Sequence, residues 1–228
     1  MLAAGPAVSL AGEPGRFVGP GAPATQSAGR VMVPLELELP KAQQVGTPKP
    51  ISLPHMDRTP PESVPPLLMP LGSHNLAKGK PVTASDAFPM VGDPGMVTDG
   101  DKAGQDGSFV ELGPGKQWVQ IDLGVESEVF AVVPWFFHGE QRAIHDVVVQ
   151  VSDDPDFRDG GRVLFNNDHD NSSGFGAGRD LAWVETHRGR VIDAKGARCR
   201  YVRVNTSGST TDEMNRFTEV EVYGRGVE

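Results

Sequence analysis

Trp118-Val-Gln-Ile-Asp-Leu-Gly124, and the stretch Val129-Phe-Ala-Val-Val-Pro-Trp-Phe-Phe137 just after it, set the fold. In the first, Val119, Ile121 and Leu123 share one face while Gln120 and Asp122 take the other, the two-residue period of a half-buried strand. The second is apolar on both faces, which predicts a central strand covered on both sides. It is strand-length and interrupted by Pro134, and no run in the chain reaches the roughly 18 apolar residues of a membrane-spanning helix. Farther along, Val147, Val149 and Val151 alternate with polar neighbours in His145–Ser152, and Arg200–Asn205 and Glu219–Tyr223 add further strands. Gly, Asp and Asn turns separate these runs, and no long segment carries a 3.6-residue period. From Asn75 onward the texture predicts an all-β sandwich.

Upstream the chain has a different character. Of 20 prolines, 14 lie in residues 1–73. Residues 1–30 are rich in Gly, Pro, Ala and Ser and poor in large apolar side chains, which predicts a disordered segment. Residues 31–73 read as a Pro-rich extended arm. Within it Val31–Glu38 alternates in a strand-like way, Pro34 would confine such a strand to a sheet edge, and Leu67, Leu68, Met69 and Leu71 are placed to pin the arm to the β domain. The opening Met-Leu-Ala-Ala-Gly-Pro lacks the basic start and apolar core of a secretory signal. Acids and bases balance over residues 1–73, so residues 74–228 carry the whole formal charge of −9. That excess argues against nucleic acid and anionic membranes as partners. The single cysteine, Cys199, excludes an intrachain disulfide and reads as a small buried hydrophobe in a strand.

Five motifs in order carry a family resemblance: Asn75-Leu-Ala-Lys-Gly-Lys-Pro-Val-Thr-Ala-Ser85, Val97-Thr-Asp-Gly-Asp101, Trp118–Gly124, Ala197-Arg-Cys-Arg-Tyr-Val-Arg203 and Glu219-Val-Glu-Val-Tyr-Gly224. Together they resemble the discoidin domain, the coagulation factor 5/8 type C domain, which is similar to family 32 carbohydrate-binding modules. The resemblance covers about residues 74–226. It implies an eight-stranded jelly-roll β-sandwich of the galactose-binding type with binding loops at one end. With no cysteine at either end of this region, the bacterial form of the domain fits better than the animal one, which implies a secreted, periplasmic or cell-envelope protein.

Four sets of residues are candidate sites. The resemblance implies a structural calcium held by Asp99, Asp101 and Glu219, and two carboxylates around a glycine turn suit a hard cation that takes oxygen ligands; the alternative is a turn whose side chains bond local amides. In His138–His145, His138, Glu140 and Arg142 supply the donors and acceptors that sugar hydroxyls need, with Phe136, Phe137 or Trp183 as an apolar ring face. Asp168, His169 and Asp170 in the 166–178 loop would face that set, bind a metal, or serve only an Asx-turn network. Arg188, Arg190, Lys195, Arg198, Arg200 and Arg203 read as a polyanion stripe or a charge-paired surface. Phe88, Pro89 and Met90 form an apolar spike in acidic surroundings.

The leading expectation is a non-catalytic module binding a carbohydrate or glycoconjugate. Two alternatives stand beside it: an interaction module whose arm docks an envelope protein, and a glycoside-acting enzyme using Glu140 with Asp168 or Asp170 as a carboxylate pair.

Overall fold

The computed structural model describes residues 25–27, 30–43, 50–59 and 63–227. Most of the segment expected to be disordered, 1–24 and 28–29, lies outside them. No described residue is in an α-helix.

In the arm, β1 (Thr25–Ser27), β2 (Arg30–Pro34) and β3 (Leu68–Pro70) form an antiparallel sheet of their own. The domain then supplies β4 (His74–Asn75), β5 (Val82–Ala84), β6 (Val110–Leu112), β7 (Gln117–Phe136), β8 (Ala143–Ile144) and β9 (Val148–Ser152). It ends with β10 (Arg162–Asn166), β11 (Trp183–Val184), β12 (Ile192–Thr206) and β13 (Asn215–Gly226). Eight of these strands are joined in the order β10-β9-β12-β7-β13-β4, with β5 on β7 and β6 on β13, while β11 and β8 pair separately.

The two apolar runs are one continuous strand of 20 residues, β7. Its first half pairs with β5 through Val119–Ile121 and its second half with β13 through Ser127–Phe136. Between them the strand bends at Gly124, whose φ of 88° is open to glycine without steric cost. β12 follows β7 through the same bend, with register shifts between Asp193 and Ala197 and between Cys199 and Tyr201. These two long strands carry the chain from one layer of the sandwich to the other. Val119, Ile121, Val149, Val151 and Val204 meet Val132, Phe136, Phe217, Val220 and Val222 in one core. Cys199 is fully buried there, and burial pushes its thiol up to about 12, out of reach of thiolate chemistry at neutral pH.

The doubly apolar character of Val129–Phe137 has a direct cause. Val132 and Phe136 face the core, while Ala131, Val133 and Trp135 face outward and are covered by Leu35 and Met69, with Leu37, Leu39 and Leu67 packed against them. The second cover of this strand is therefore the arm. Leu35 N donates to Leu67 O at 2.8 Å, so both limbs of the arm lie on the same face. Leu71, expected to help pin it, is 65% exposed. The arm makes its own sheet on the outer face instead of extending the domain's sheet. A second attachment lies farther along: Ala182 N donates to His55 O at 2.9 Å, and the His55 ring stacks on His169 with centroids 4.1 Å apart.

Candidate functional site

The turn after a short 3-10 segment, Pro94–Thr98, brings Asp99, Gly100 and Asp101 beneath the closing strand. Asp99 Oδ1 accepts from Asp101 N at 2.7 Å and Asp101 Oδ1 from Ala103 N at 2.9 Å, a local turn network. Glu219 behaves differently. It is fully buried, its Oε2 accepts from Gly100 N at 3.1 Å, and its Oε1 has no partner. Burial, reinforced by the charges of Glu221 and Asp99, pushes its carboxyl up to about 8. An unpaired carboxylate oxygen in this setting is costly, and a cation beside it removes that cost. The residues fit a hard cation on that ground.

His138 and Arg142 are only 5% and 2% exposed. The His138 Nε2 donates to Lys102 O at 2.9 Å, which leaves Nδ1 as an unpartnered acceptor; burial lowers the ring's affinity for a proton. Gly104 is required beside it, since a Cβ there would lie 2.6 Å from the imidazole. Arg142 lies over the Phe137 ring, 4.8 Å from its centroid, and one of its Nη atoms donates to Glu140 at 3.0 Å. The Glu140 side chain is half exposed. Beyond it, Arg216 holds Glu111 and Asp212 together across neighbouring strand ends. Glu140 and Asp212 are the accessible carboxylates of this set; His138 and Arg142 support it from beneath.

Trp183 does not offer a ring face. It is 1% exposed, packs edge-on to Phe136 and Phe165 in the core, and donates from Nε1 to Glu185 Oε2 at 2.6 Å. Phe136 is equally enclosed, and Phe137 is 7% exposed. Large aromatic side chains on apolar strands are taken up by the core.

The 166–178 loop is held by its own side chains. Asp168 accepts from Ser172 N and Ser173 N at 3.0 and 2.7 Å, Asn171 Oδ1 from Gly176 N at 2.7 Å, and Asn166 Nδ2 donates to Gly176 O at 2.9 Å. This is the Asx network. Asp146, Asp168 and Asp170 bring carboxylate oxygens within 4.8 Å of one another, but both Asp168 oxygens are already bonded to amides. His169 Nε2 donates to Asp180 O. Among the described residues no hydrogen bond joins Asp168 to His138: His138 bonds Lys102, whereas Asp168 bonds Ser172 and Ser173. Of the two partners considered for Glu140 as a carboxylate pair, Asp168 is fully buried with its oxygens on loop amides, while Asp170 is exposed and accepts from Ser172 N at 3.0 Å.

In the basic run, Arg200 pairs with Asp122 at 2.7 Å, Arg203 donates to Gln120 between the rings of Trp118 and Phe157, and Arg190 donates to Leu181 O and Ala182 O. These three are absorbed into local structure.

The most exposed aromatic ring among the described residues outside the arm is Phe88, 87% exposed, with Met90 at 68%, while Phe175 in the 166–178 loop is 38% exposed. The Phe88 loop is fixed: Asp86 accepts from Phe88 N at 2.9 Å and from Gly113 N at 3.1 Å, and Met90 N donates to Glu111 O at 2.7 Å. Glu111 ties this loop to Arg216. The Phe-Pro-Met sequence signalled an apolar loop tip, though exposure and neighbours are long-range properties that it did not carry.

No protein-family model and no curated protein sequence matches the chain. Among solved structures it is similar to a fucose binding module of Streptococcus pneumoniae, at 20% identity and a TM-score of 0.48, over 66% of this chain and 97% of that one. It is similar to truncated AlyQ with CBM32 and alginate lyase domains at 20% identity and 0.47, covering 65% of this chain and 32% of that one. A fucolectin from striped bass (Morone saxatilis) serum gives 18% and 0.47, over 68% of this chain and 48% of that one. The chain thus spans about a third of the AlyQ protein and about half of the fucolectin. These likenesses assign no ligand here, and the β-sandwich stands on the strand pairings themselves.

Proposed function

We propose that this chain is a non-catalytic carbohydrate-binding module with a structural calcium. The observation that carries the reading is Phe88, an almost fully exposed aromatic ring on a hydrogen-bonded loop, joined through Glu111 to Arg216 and Asp212, while Glu140 pairs separately with Arg142. A pyranose has an apolar C–H face and a rim of hydroxyls that both donate and accept, and the exposed groups here are the Phe88 ring and the carboxylates of Asp212 and Glu140. Leaving a phenylalanine in water forgoes about 1.5–3 kcal/mol of burial, which contact with a ligand recovers. Glu140 remains in the proposed ligand set, with Arg142 and His138 positioning the loop. Asp168 and Trp183 are buried, and with His169 and Asp170 they lie outside the proposed ligand set.

Glu219, Asp99 and Asp101 would hold the calcium, with Glu219 Oε1 as the oxygen that has no other partner. Bound there, the ion supplies fixed positive charge that ties the turn to β13; it takes no part in chemistry. A secreted or envelope location accords with the family resemblance. The arm's apolar residues Leu35, Leu37, Leu39, Leu67 and Met69 are used against the domain, which favours the arm as a cover over the arm as a docking strand for an envelope protein.

Phe88→Ala is expected to weaken binding to the best neutral glycan tenfold or more, equivalent to about 1.4 kcal/mol, with an unchanged melting temperature. Titration calorimetry and a thermal melt check the two statements against the parent protein. Equal affinity in the two proteins removes Phe88 from the site.

A further inference from the structure

The turn that would hold calcium and the loop that carries Glu140 and Arg142 meet at one peptide group. Asp101 Oδ1 accepts from Ala103 N at 2.9 Å, and the carbonyl of that same peptide, Lys102 O, accepts from His138 Nε2 at 2.9 Å. A peptide unit is planar, so its N–H and its C=O cannot turn independently. A change in how Asp101 holds the one end reaches His138 at the other.

Both ends of this link are packed. In the turn, Asp101 N bonds Asp99 at 2.7 Å, and Gly100 N bonds Glu219, whose Oε1 is buried without a partner. The Lys102 ammonium is held separately, on Glu221 at 2.8 Å and 4.9 Å from the Trp135 ring centroid. That anchors its side chain and leaves the tilt of the Lys102–Ala103 peptide to Asp101 and His138. In the loop, the imidazole lies against Gly104, and a Cβ at Gly139 would come within 2.7 Å of the Phe137 ring and 3.1 Å of Gly104 O. Arg142 rests on the Phe137 ring and pairs with Glu140. His138 is itself buried, so it acts on a ligand only through this loop.

Asp101 is the member with two states. It is exposed, and its carboxylate caps the Ala103 amide. A hard cation at the turn takes its ligands from carboxylate and carbonyl oxygens, so Asp101 would then share or redirect the oxygen that now holds the peptide.

We infer that the Lys102–Ala103 peptide relays cation binding at the turn to the Glu140–Arg142 loop, with His138 as the positioning residue that receives it. The inference rests on the calcium and carbohydrate sites proposed above, and it makes sugar affinity depend on an ion that the sugar does not touch. Such coupling is reciprocal, so a sugar on the loop would tighten the cation by the same factor.

The test is a ¹H–¹⁵N NMR titration of the metal-stripped full chain with calcium alone, to millimolar concentration. The amides of Gly100 and Ala103 are expected to shift, and those of His138, Glu140 and Gln141 to shift with the same calcium dependence. Ser173, bonded within its own loop, stays in place. In His138→Leu, which has no donor for Lys102 O, the loop shifts should fall at least about fivefold, the lower end of usual couplings between sites, while the turn shifts persist. His138→Gln, whose side-chain amide can donate to that carbonyl, should restore them. A space-filling imidazole predicts the reverse order, with Leu the better substitute. If His138→Leu does not fold, His138→Phe supplies a second variant that lacks the donor and keeps a ring beside Gly104. Turn shifts without loop shifts in the parent, or loop shifts as large without the donor as with it, overturn the relay and leave the calcium site standing. No shift at either place removes the calcium reading and the relay with it.

Discussion

Trp135→Ala is expected to destabilise the protein by about 3–5 kcal/mol, the usual cost of removing a large buried aromatic. For a chain of this size that corresponds to a fall in melting temperature of roughly 6–20 °C. The ring is fully buried beneath the arm, donates from Nε1 to His187 O at 3.2 Å, and lies so close to the 186–190 turn that a Cβ at Gly189 would meet it at 2.6 Å. Its loss removes the surface on which Leu35 and Met69 rest. Hydrogen exchange at Leu35 N, bonded to Leu67 O, should therefore accelerate more than exchange at Val204 in the core. A melting temperature within about 2 °C of the parent's would mean that the arm contributes little to the fold.

Millimolar calcium is expected to raise the melting temperature, and Glu219→Gln to abolish the rise. At a hundredfold excess over the dissociation constant a ligand adds about 2.7 kcal/mol, or roughly 5–10 °C in a chain of this length. The variant should fold, because an amide at this buried position carries no charge to be left uncompensated. The metal-free protein provides a second readout. Its Glu219 carboxyl sits at about 8 when folded, above the ordinary 4.5, so between those values the folded state binds more protons than the unfolded one. Stability conferred by the protonated group is fully present below 4.5 and is lost as pH rises through 8. Glu185, buried and likewise pushed up to about 8, contributes a slope of the same sign, so Glu219→Gln should remove only part of the decline. Differential scanning calorimetry from pH 5 to 8, with and without calcium, measures both effects. No calcium response in the parent protein would contradict the site.

The sequence disclosed what depends on local period and failed where burial by distant segments decides. Val119, Ile121 and Leu123 announced an inward face because alternation is local, and they are in the core. The double cover of Val129–Phe137 was also legible, but its source was not. Leu35, Leu37 and Leu39 show their own alternation about a hundred residues earlier, and nothing local links them to Trp135. Gly124 looked like the end of a strand and is instead a bend within one, since a positive φ serves either purpose.

The site was legible in the same uneven way. His138, Arg142 and Trp183 have the right chemistry for a sugar pocket, yet each is nearly inaccessible. Side-chain type gave the inventory, and tertiary packing gave access. Phe88 was recognisable as a loop-tip hydrophobe, but its exposure and the Glu111–Arg216 pair that its loop rests on were not. The Asp168 loop was the reverse case, because Asx turns are local and its amide network was already an expected outcome.

Whether the protein binds carbohydrate at all is decided by applying the full chain, with calcium present, to an array of neutral and acidic glycans. Saturable binding to at least one neutral glycan is expected, with little sensitivity to salt and loss of the signal on competition with the corresponding free sugar. Binding to no glycan on the array, or binding to polyanions alone that vanishes with added salt, would contradict a carbohydrate-binding role.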